Sequence, residues 1–272
     1  MASVRPAAIA GMFYPGDAAT LTRDVDALLA AAQSATGLAV PKAIIAPHAG
    51  FVYSGPIAAS IYALIAPARA RIKRVVLLGP THRVAIHGMA LPGVDAFATP
   101  LGKILVDADN VKKLMALPYI GASAEAHRLE HSLEVHLPFL QKVVDGFSLT
   151  PLAVGRASAQ QVAEVIHLLW GGDETLIVIS SDLSHYLPYT DAQSTDRATA
   201  QAILELHTDI NHQQACGATP LIGLNLLAQQ RGLTPKLIDL RNSGDTAGDK
   251  ARVVGYGAFA YYEQPLNVSR GH

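Results

Sequence analysis

The sequence predicts a single α/β domain with a central mixed, mostly parallel sheet and helices on both of its faces. Short apolar runs alternate along the chain with longer patterns of helical periodicity, which is the arrangement of βαβ units. Half of the 272 residues are hydrophobic and 16% are charged, a balance that suits a core on both sides of a sheet. No linker, repeat or low-complexity run divides the chain. We therefore predict one domain over residues 1–272, with a core of about residues 4–262.

Four short apolar runs have the composition of strands that are buried on both faces of a parallel sheet. They lie at residues 42–46, 74–78, 175–179 and 236–240. A fifth run, at residues 252–262, alternates in polarity and contains glycines, which predicts a curved or edge strand. Helical patterns lie between these runs, at residues 18–32, 55–64, 109–115, 131–144, 158–170, 191–207 and 219–230.

Polar loops follow the strands at their carboxyl ends, where open α/β sheets bind their ligands. The loops are residues 47–50, 79–83, 180–185 and 241–245. Three of the four carry a histidine within a few residues of the strand, namely His48, His82 and His185. The sequence therefore predicts a functional site at this edge of the sheet.

His48 and His82 are candidate metal ligands. Each lies one or two residues after a proline that follows a buried strand, and proline restricts the loop that carries the imidazole. One such histidine alone would more often cap a loop carbonyl, but two in similar contexts favour a shared site. Cys216, the only cysteine, precedes a helix predicted to begin near Thr219, where backbone N–H groups favour a thiolate; otherwise it is a small buried hydrophobe. Two histidines and a cysteine would suit Fe(II), Cu(I) or Zn(II).

Asp182 and His185 are candidate catalytic residues. A histidine three residues after an aspartate in a tight loop can be oriented by that carboxylate, which is how a general base is set. The alternative is that Ser181 or Asp182 caps the next turn.

The segment EHSLEVH at residues 130–136 is a rival source of ligands. On a helix His131 and His136 point about 140° apart, so they do not face one ion together. We assign His131 to the pocket as a candidate catalytic residue and Glu130 as a candidate substrate contact. Asn242 and Asp245, in a turn at a strand end, and Tyr53, in the glycine-containing segment 49–55, are further candidate substrate contacts.

Charge and composition exclude several classes of protein. The formal net charge is −1 with the two signs interspersed, so we expect no nucleic-acid partner. No apolar stretch reaches the roughly 18–20 residues of a membrane span, and the first residues do not resemble a signal peptide. A single cysteine fits a reducing compartment. We therefore expect a cytoplasmic protein without a membrane partner.

An ordered set of motifs runs through the chain from about residue 4 to residue 262. The motifs are VRP at 4–6, AGMFYP at 10–15, IAPHAGFVYSG at 45–55, LGPTH at 78–82, AHRLEHSLEVHLPFL at 126–140, SSDLSHY at 180–186, ACG at 215–217 and NSGD at 242–245. This set resembles the Memo family, also called protein B of the AmmeMemoRadiSam system.

The resemblance implies a fold like that of class III extradiol dioxygenases, which hold Fe(II) with two histidines and a carboxylate and use a further histidine as acid–base. It places His48 and His82 at the two histidine positions, His185 at the acid–base position and Cys216 where the carboxylate stands. It also implies iron(II) or copper(I) as the cofactor, with zinc as a substitute, and a functional link to a radical-SAM protein and an AMMECR-like protein.

Three functions follow from these expectations. The first is a metal-dependent oxygenase or redox enzyme that acts on a small substrate, aromatic or phenolic compounds included. The second is a copper- or iron-binding protein that handles metal or redox state without turnover. The third is a module that binds a phosphopeptide or another partner, which the near-neutral charge disfavours.

Overall fold

Twelve strands form one mixed sheet in the computed structural model, which describes residues 3–32 and 38–263. The strands are β1 (Val4–Arg5), β2 (Ala43–Ala46), β3 (Arg74–Pro80), β4 (Met89–Leu91), β5 (Ala96–Thr99), β6 (Gly102–Val106), β7 (Ile120–Ala122), β8 (Ser148–Val154), β9 (Thr175–Ser180), β10 (His185–Leu187), β11 (Thr234–Asn242) and β12 (Val253–Tyr262). The helices are α1 (Ala18–Ala31), α2 (Phe51–Tyr62), α3 (Ala108–Leu114), α4 (Ala124–Arg128), α5 (His131–Glu134), α6 (Leu137–Val143), α7 (Ala159–Leu168), α8 (Tyr189–Leu204) and α9 (Ala218–Arg231). Short 3-10 helices lie at Ala66–Ala68 and Ser243–Asp245.

Five neighbouring strands at the centre of the sheet are parallel, in the order β6-β8-β3-β9-β2. β12 is antiparallel to β2, and β11 is antiparallel to β12, so β11 points the same way as the parallel strands. The predicted fold class, a single α/β domain with a mixed, mostly parallel sheet, is confirmed. The outer limits of the domain, residues 1–272, stay a prediction.

The two faces of the sheet pack into separate cores because successive strand residues point to opposite faces. In β2, Ile44 belongs to one core and Ile45 to the other, and Val75 and Val76 of β3 divide in the same way. Helices α1, α2 and α6 cover the first core, and α7, α8 and α9 cover the second. The prediction of helices on both faces is therefore confirmed.

Capping residues fix where several helices begin and end. The side chains of Asp17, Asp107, Ser123 and Ser158 each accept a backbone N–H from the first turn of α1, α3, α4 and α7. α9 ends at Gly232, whose φ of 66° is the left-handed conformation that glycine adopts without strain. None of the helices within the described residues is both long and apolar enough to cross a membrane.

Predictions for some single elements are wrong. The run at 236–240 is not a buried parallel strand: it is part of β11, which is antiparallel to β12 and mostly half-buried or exposed. The run at 252–262 is not an edge strand, because β12 is largely buried between β2 and β11. The single helix predicted at 131–144 is divided into α5 and α6, since Pro138 cannot donate to the preceding turn and instead sits in the first turn of α6.

Candidate metal-binding site

The carboxyl ends of β2, β3 and β9 lie at one edge of the sheet and bring their loops together. β9 lies between β2 and β3 and is parallel to both. His48 and His82 follow the two outer strands, and their ring centroids are 5.1 Å apart. The structure therefore gathers these loops at the edge where the sequence predicts them.

His48 is held by its backbone and by one ring nitrogen. Its N–H donates to Asp182 Oδ1 at 2.7 Å. Its Nδ1 lies 2.6 Å from Ser180 Oγ, and that hydroxyl donates to the carbonyl oxygen of Ser132 at 2.6 Å. Because a hydroxyl has only one proton to donate, Ser180 accepts its second bond from the Nδ1–H of His48. The Nε2 of His48 therefore carries the lone pair that a metal ligand needs.

His82 is held in a similar way by Glu130. The carboxylate accepts the backbone N–H of His82 at 2.6 Å and its Nδ1–H at 2.8 Å. Glu130 also caps α5 by accepting the N–H of Ser132 at 2.9 Å. Burial raises the pKa of Glu130, but the interactions with His82 and Ser132 outweigh it and hold the pKa at about 2. An ionised Glu130 leaves Nε2 as the free nitrogen of His82.

His131 completes a group of three imidazoles. One ring nitrogen from each of His48, His82 and His131 lies within 4.8 Å of those of the other two. The ring of His131 stacks on that of His82, with centroids 4.5 Å apart, and also contacts Phe13. Its Nδ1 is buried and has no hydrogen-bond partner among the described residues. It lies 3.4 Å from Glu130 Oε1, so the carboxylate that holds His82 also lies beside the ring of His131.

Burial keeps two of these imidazoles neutral. Burial, and to a lesser extent the neighbouring His82, lowers the pKa of His48 well below the usual value and that of His131 to about 4. Neutral imidazole is the form that binds metals, so neither ring has to lose a proton first at neutral pH. The residues present therefore fit a metal ion.

Cys216 contacts His48 but lies outside the group of three. Its Sγ is 3.3 Å from His48 Nε2 and accepts the N–H of Asp182 at 3.3 Å. The expectation that the helix start favours a thiolate is wrong, because burial and, to a lesser extent, the Asp182 carboxylate raise the thiol pKa to about 12. The structure thus groups His131, rather than Cys216, with the two predicted histidines; a ligand role for Cys216 stays a prediction.

Asp182 orients His48 rather than His185. Its buried carboxylate accepts the N–H groups of His48 and Ala49, and burial raises its pKa to about 7. The Nδ1 of His185 donates instead to the carbonyl oxygen of Leu183 at 2.8 Å. The predicted contact between Asp182 and His185 is therefore wrong. His185 is oriented instead by the backbone carbonyl of Leu183, two residues before it in the chain. Either arrangement fixes the tautomer of His185 with Nε2 free.

A cavity of about 650 Å³ brings His185 to the same space as the candidate ligands. Its lining includes His82, Cys216 and His185, together with His212 and Gln213 of the loop before α9. Burial lowers the pKa of His185, so its ring is neutral at neutral pH and can accept a proton.

Asn242 and Asp245 lie at the end of β11, and Tyr53 lies on α2. Asn242 Oδ1 accepts the N–H of Gly244, and Asp245 Oδ2 accepts the N–H of Asn242, each at 2.9 Å. These reciprocal bonds cap the 3-10 helix at Ser243–Asp245, so both side chains stabilise the turn in which the sequence places them. Tyr53 is half-exposed on α2. Substrate contact by Asn242, Asp245, Tyr53 or Glu130 stays a prediction.

The histidine-rich segment also anchors the start of the chain through Glu134. This buried carboxylate accepts the N–H groups of Ala8 and Ile9 and the hydroxyl of Tyr14 at 2.6 Å, and it pairs with Arg5. The VRP and AGMFYP motifs are therefore packed against the EHSLEVH motif. His136 is turned away from the site and contacts Tyr62, as its helical angle predicts.

Sequence reasoning assigned no role to Ser180, Ser132 or His212. Ser180 is the last residue of β9. A serine at the end of a buried strand, just before a polar loop, is the pattern that could have identified it as a residue of the site. His212 contacts the carbonyl of Cys216 and the hydroxyl of Thr219. Nothing in the spacing of the sequence indicates that position.

The fold and the site together define an α/β protein in which two strand-end loops and the start of α5 bring together a three-histidine group suited to a metal ion. The model of the Memo-like protein family matches residues 5–260. Three relatives are similar to this chain over 93% of its length and 97% of their own. They are MEMO1 family proteins of Aquifex aeolicus, Archaeoglobus fulgidus and Metallosphaera sedula, and they are 35%, 34% and 31% identical to it. The chain belongs to the Memo-like, or MEMO1, family, which confirms the resemblance seen in the motifs.

Proposed function

We propose that this protein is a metal-dependent redox enzyme of the dioxygenase type that acts on a small substrate. His48 and His82 would hold the ion, iron(II) or copper(I), with a third ligand from His131 or Cys216. The fit rests on two free Nε2 atoms, each set by a hydrogen bond at Nδ1, and on a ring nitrogen of His131 that lies within 4.8 Å of theirs. Once bound, the metal would supply the reactivity toward O2; because a dioxygenase places both oxygen atoms in its substrate, no external reductant would be required.

The observation that carries the proposal is the position of His185. It lines one cavity with His82 and Cys216, and its Nδ1 is committed to a backbone carbonyl. Its neutral ring is thus free to take a proton from a substrate hydroxyl at Nε2 and to return it later. A site that only stored metal would have no need of a proton acceptor held in this way.

Metal analysis of the purified full-length chain tests the ligand set. We expect about one equivalent of iron, copper or zinc per chain, by the stoichiometry of a single site. His48→Ala and His82→Ala should lose it, whereas His167→Ala, which removes an exposed histidine on α7, should retain it. No metal in the wild-type protein after anaerobic loading would contradict the proposal. Oxygen consumption in the loaded protein should then depend on His185, and His185→Gln should abolish turnover while leaving metal content unchanged.

Metal handling without turnover is a second candidate, and the contact between Cys216 and His48 favours it. A thiol 3.3 Å from an imidazole Nε2 offers the soft donor that Cu(I) prefers. Competition with a Cu(I) chelator should then show tight binding that Cys216→Ser weakens. Equal Cu(I) affinity in the wild type and in Cys216→Ser would exclude this role. The cytoplasmic location and the link to a radical-SAM protein and an AMMECR-like protein stay predictions.

A further inference from the structure

A second cavity, of about 570 Å³, adjoins the one that contains His185. His82, His212 and Cys216 line both cavities. The two cavities therefore adjoin beside His82; the cavity that contains His185 is called the first lobe and the other the second lobe. The lobes differ sharply in charge, because Arg83 and Arg156 line the second lobe only.

The two arginines have no opposite charge near them in this lobe. Of the twelve residues that line it, all of them described by the structure, none is an aspartate or a glutamate. Within residues 3–32 and 38–263, neither guanidinium makes an ion pair or a side-chain hydrogen bond, in contrast to Arg69, which pairs with Asp145. The chain as a whole has a net charge of −1, so this lobe is more positively charged than the protein is on average. An unpaired guanidinium is the preferred protein partner of a carboxylate or a phosphoryl group.

The backbone holds the two arginines on adjoining segments. Arg156 N–H donates to the carbonyl of Ile86 at 2.9 Å, and Gly88 N–H donates to the carbonyl of Arg156 at 2.9 Å. A Cβ at Gly155 would lie 2.4 Å from the carbonyl oxygen of Ile86, so the two segments can approach this closely only with glycine at that position. Arg83 follows His82, whose backbone is fixed by Glu130.

We infer that Arg83 and Arg156 form an anion subsite that holds a carboxylate or phosphoryl group of the substrate beside the histidine group. This inference rests on the proposed function and adds a substrate class to it. The first lobe is lined by neutral polar side chains such as Thr195 and Gln214 and contains His185. A substrate that spans both lobes is therefore a small acid with a hydroxyl group, whose proton His185 accepts.

Ligand binding to the full-length protein tests the subsite without requiring turnover. The probes are 4-hydroxybenzoate, its neutral analogue 4-hydroxybenzamide, and inorganic phosphate, each titrated by calorimetry at low ionic strength. We expect an anion to bind and the amide to bind at least roughly tenfold more weakly, since a charge-assisted hydrogen bond is lost. Arg83→Ala and Arg156→Ala should each weaken anion binding roughly tenfold or more. Arg71→Ala, which removes another exposed arginine, before β3, should leave anion binding unchanged.

The two anion probes identify the chemistry of the group. Tighter binding of 4-hydroxybenzoate assigns a carboxylate, and tighter binding of phosphate assigns a phosphoryl group; both support the subsite. Binding of neither anion to the wild type, or equal binding to the wild type and both cavity variants, overturns it. Metal content is measured on the same samples. Arginine-dependent anion binding in a chain that takes up no metal would keep the subsite and remove the proposed enzyme, so the two failures are distinct.

Discussion

Replacing Ser180 with alanine is the sharpest test of how the site is organised. Its hydroxyl lies between His48 Nδ1 and the carbonyl oxygen of Ser132, with both distances at 2.6 Å, and Ser180 is fully buried. The substitution changes neither charge nor backbone, yet it removes the hydroxyl that accepts the Nδ1–H of His48 and so fixes its tautomer. Stability and metal affinity should therefore fall together.

The expected loss can be worked from the two bonds. Ser180→Ala leaves one buried donor and one buried acceptor without a partner, and each such group costs about 1–3 kcal/mol. A free energy of unfolding lower by about 2–4 kcal/mol is expected, because the smaller side chain gives the neighbours some room to adjust. Loss of a partner that orients a metal-bound histidine typically lowers metal affinity roughly 10- to 100-fold.

Urea unfolding of the metal-free proteins and competitive metal titration measure these two effects separately. Ser60→Ala is the matched control, because the Ser60 hydroxyl also donates to a backbone carbonyl, at 2.7 Å, but within α2 and only partly buried. It should lose less than about 1 kcal/mol. A Ser180→Ala protein with the same unfolding midpoint as Ser60→Ala, and with wild-type metal affinity, would show that the hydroxyl does not orient His48.

Three further predictions concern the framework of the site. Glu134→Gln leaves a buried arginine without its charge partner and should destabilise the fold by about 3–5 kcal/mol in urea unfolding, against less than about 1 kcal/mol for Asp145→Asn in an exposed ion pair; similar losses in both would refute it. Gly155→Ala places a Cβ 2.4 Å from a backbone oxygen and should lower the melting temperature through a cost of about 1–3 kcal/mol, whereas Gly121→Ala, with open space around it, should not. His127 has its pKa lowered from 6.5 to about 4 by burial, so the unfolded chain binds a proton that the folded chain does not. Stability should therefore fall as the pH drops from 6.5 to 4, by up to about 3 kcal/mol from this residue, and His127→Gln should flatten that part of the pH profile.

Several strands and the position of the site follow directly from the sequence, and the failures have physical causes. The runs that became β2, β3 and β9 are apolar on both faces because helices cover both sides of the sheet. β8 is equally central, but its sequence SLTPLAV contains Ser148, Thr150 and Pro151, which obscure the apolar pattern. The edges of the sheet depend on which strands pair over long distances, and no local pattern contains that information.

The ligand set shows the same limit at the level of single side chains. Proline context and strand ends were sufficient to select His48 and His82, because both depend on neighbouring residues along the chain. The position of the third histidine, His131, depends on where α5 begins relative to β3. The hydrogen bond from Ser132 Oγ to the carbonyl oxygen of Pro80, at 2.8 Å, sets that position. That bond joins residues 52 positions apart in the sequence. Sequence reasoning could place His131 near the pocket, but only the fold stacks it on His82.

The identity of the third ligand connects the structure to the choice between enzyme and metal carrier. The two candidates for the third ligand are His131 and Cys216, and His48 is close to both. Its ring is grouped with His131, and its Nε2 is 3.3 Å from the Cys216 thiol. The neutral rings of His48 and His131 bind a metal without releasing a proton, whereas binding through Cys216 requires the thiol to lose one. Proton release measured during metal titration, in the wild type beside Cys216→Ser and His131→Ala, therefore separates the two modes for each metal. Iron bound without proton release leaves the thiol free in the cavity, and Cu(I) bound with one proton released indicates the thiolate site that a carrier would use.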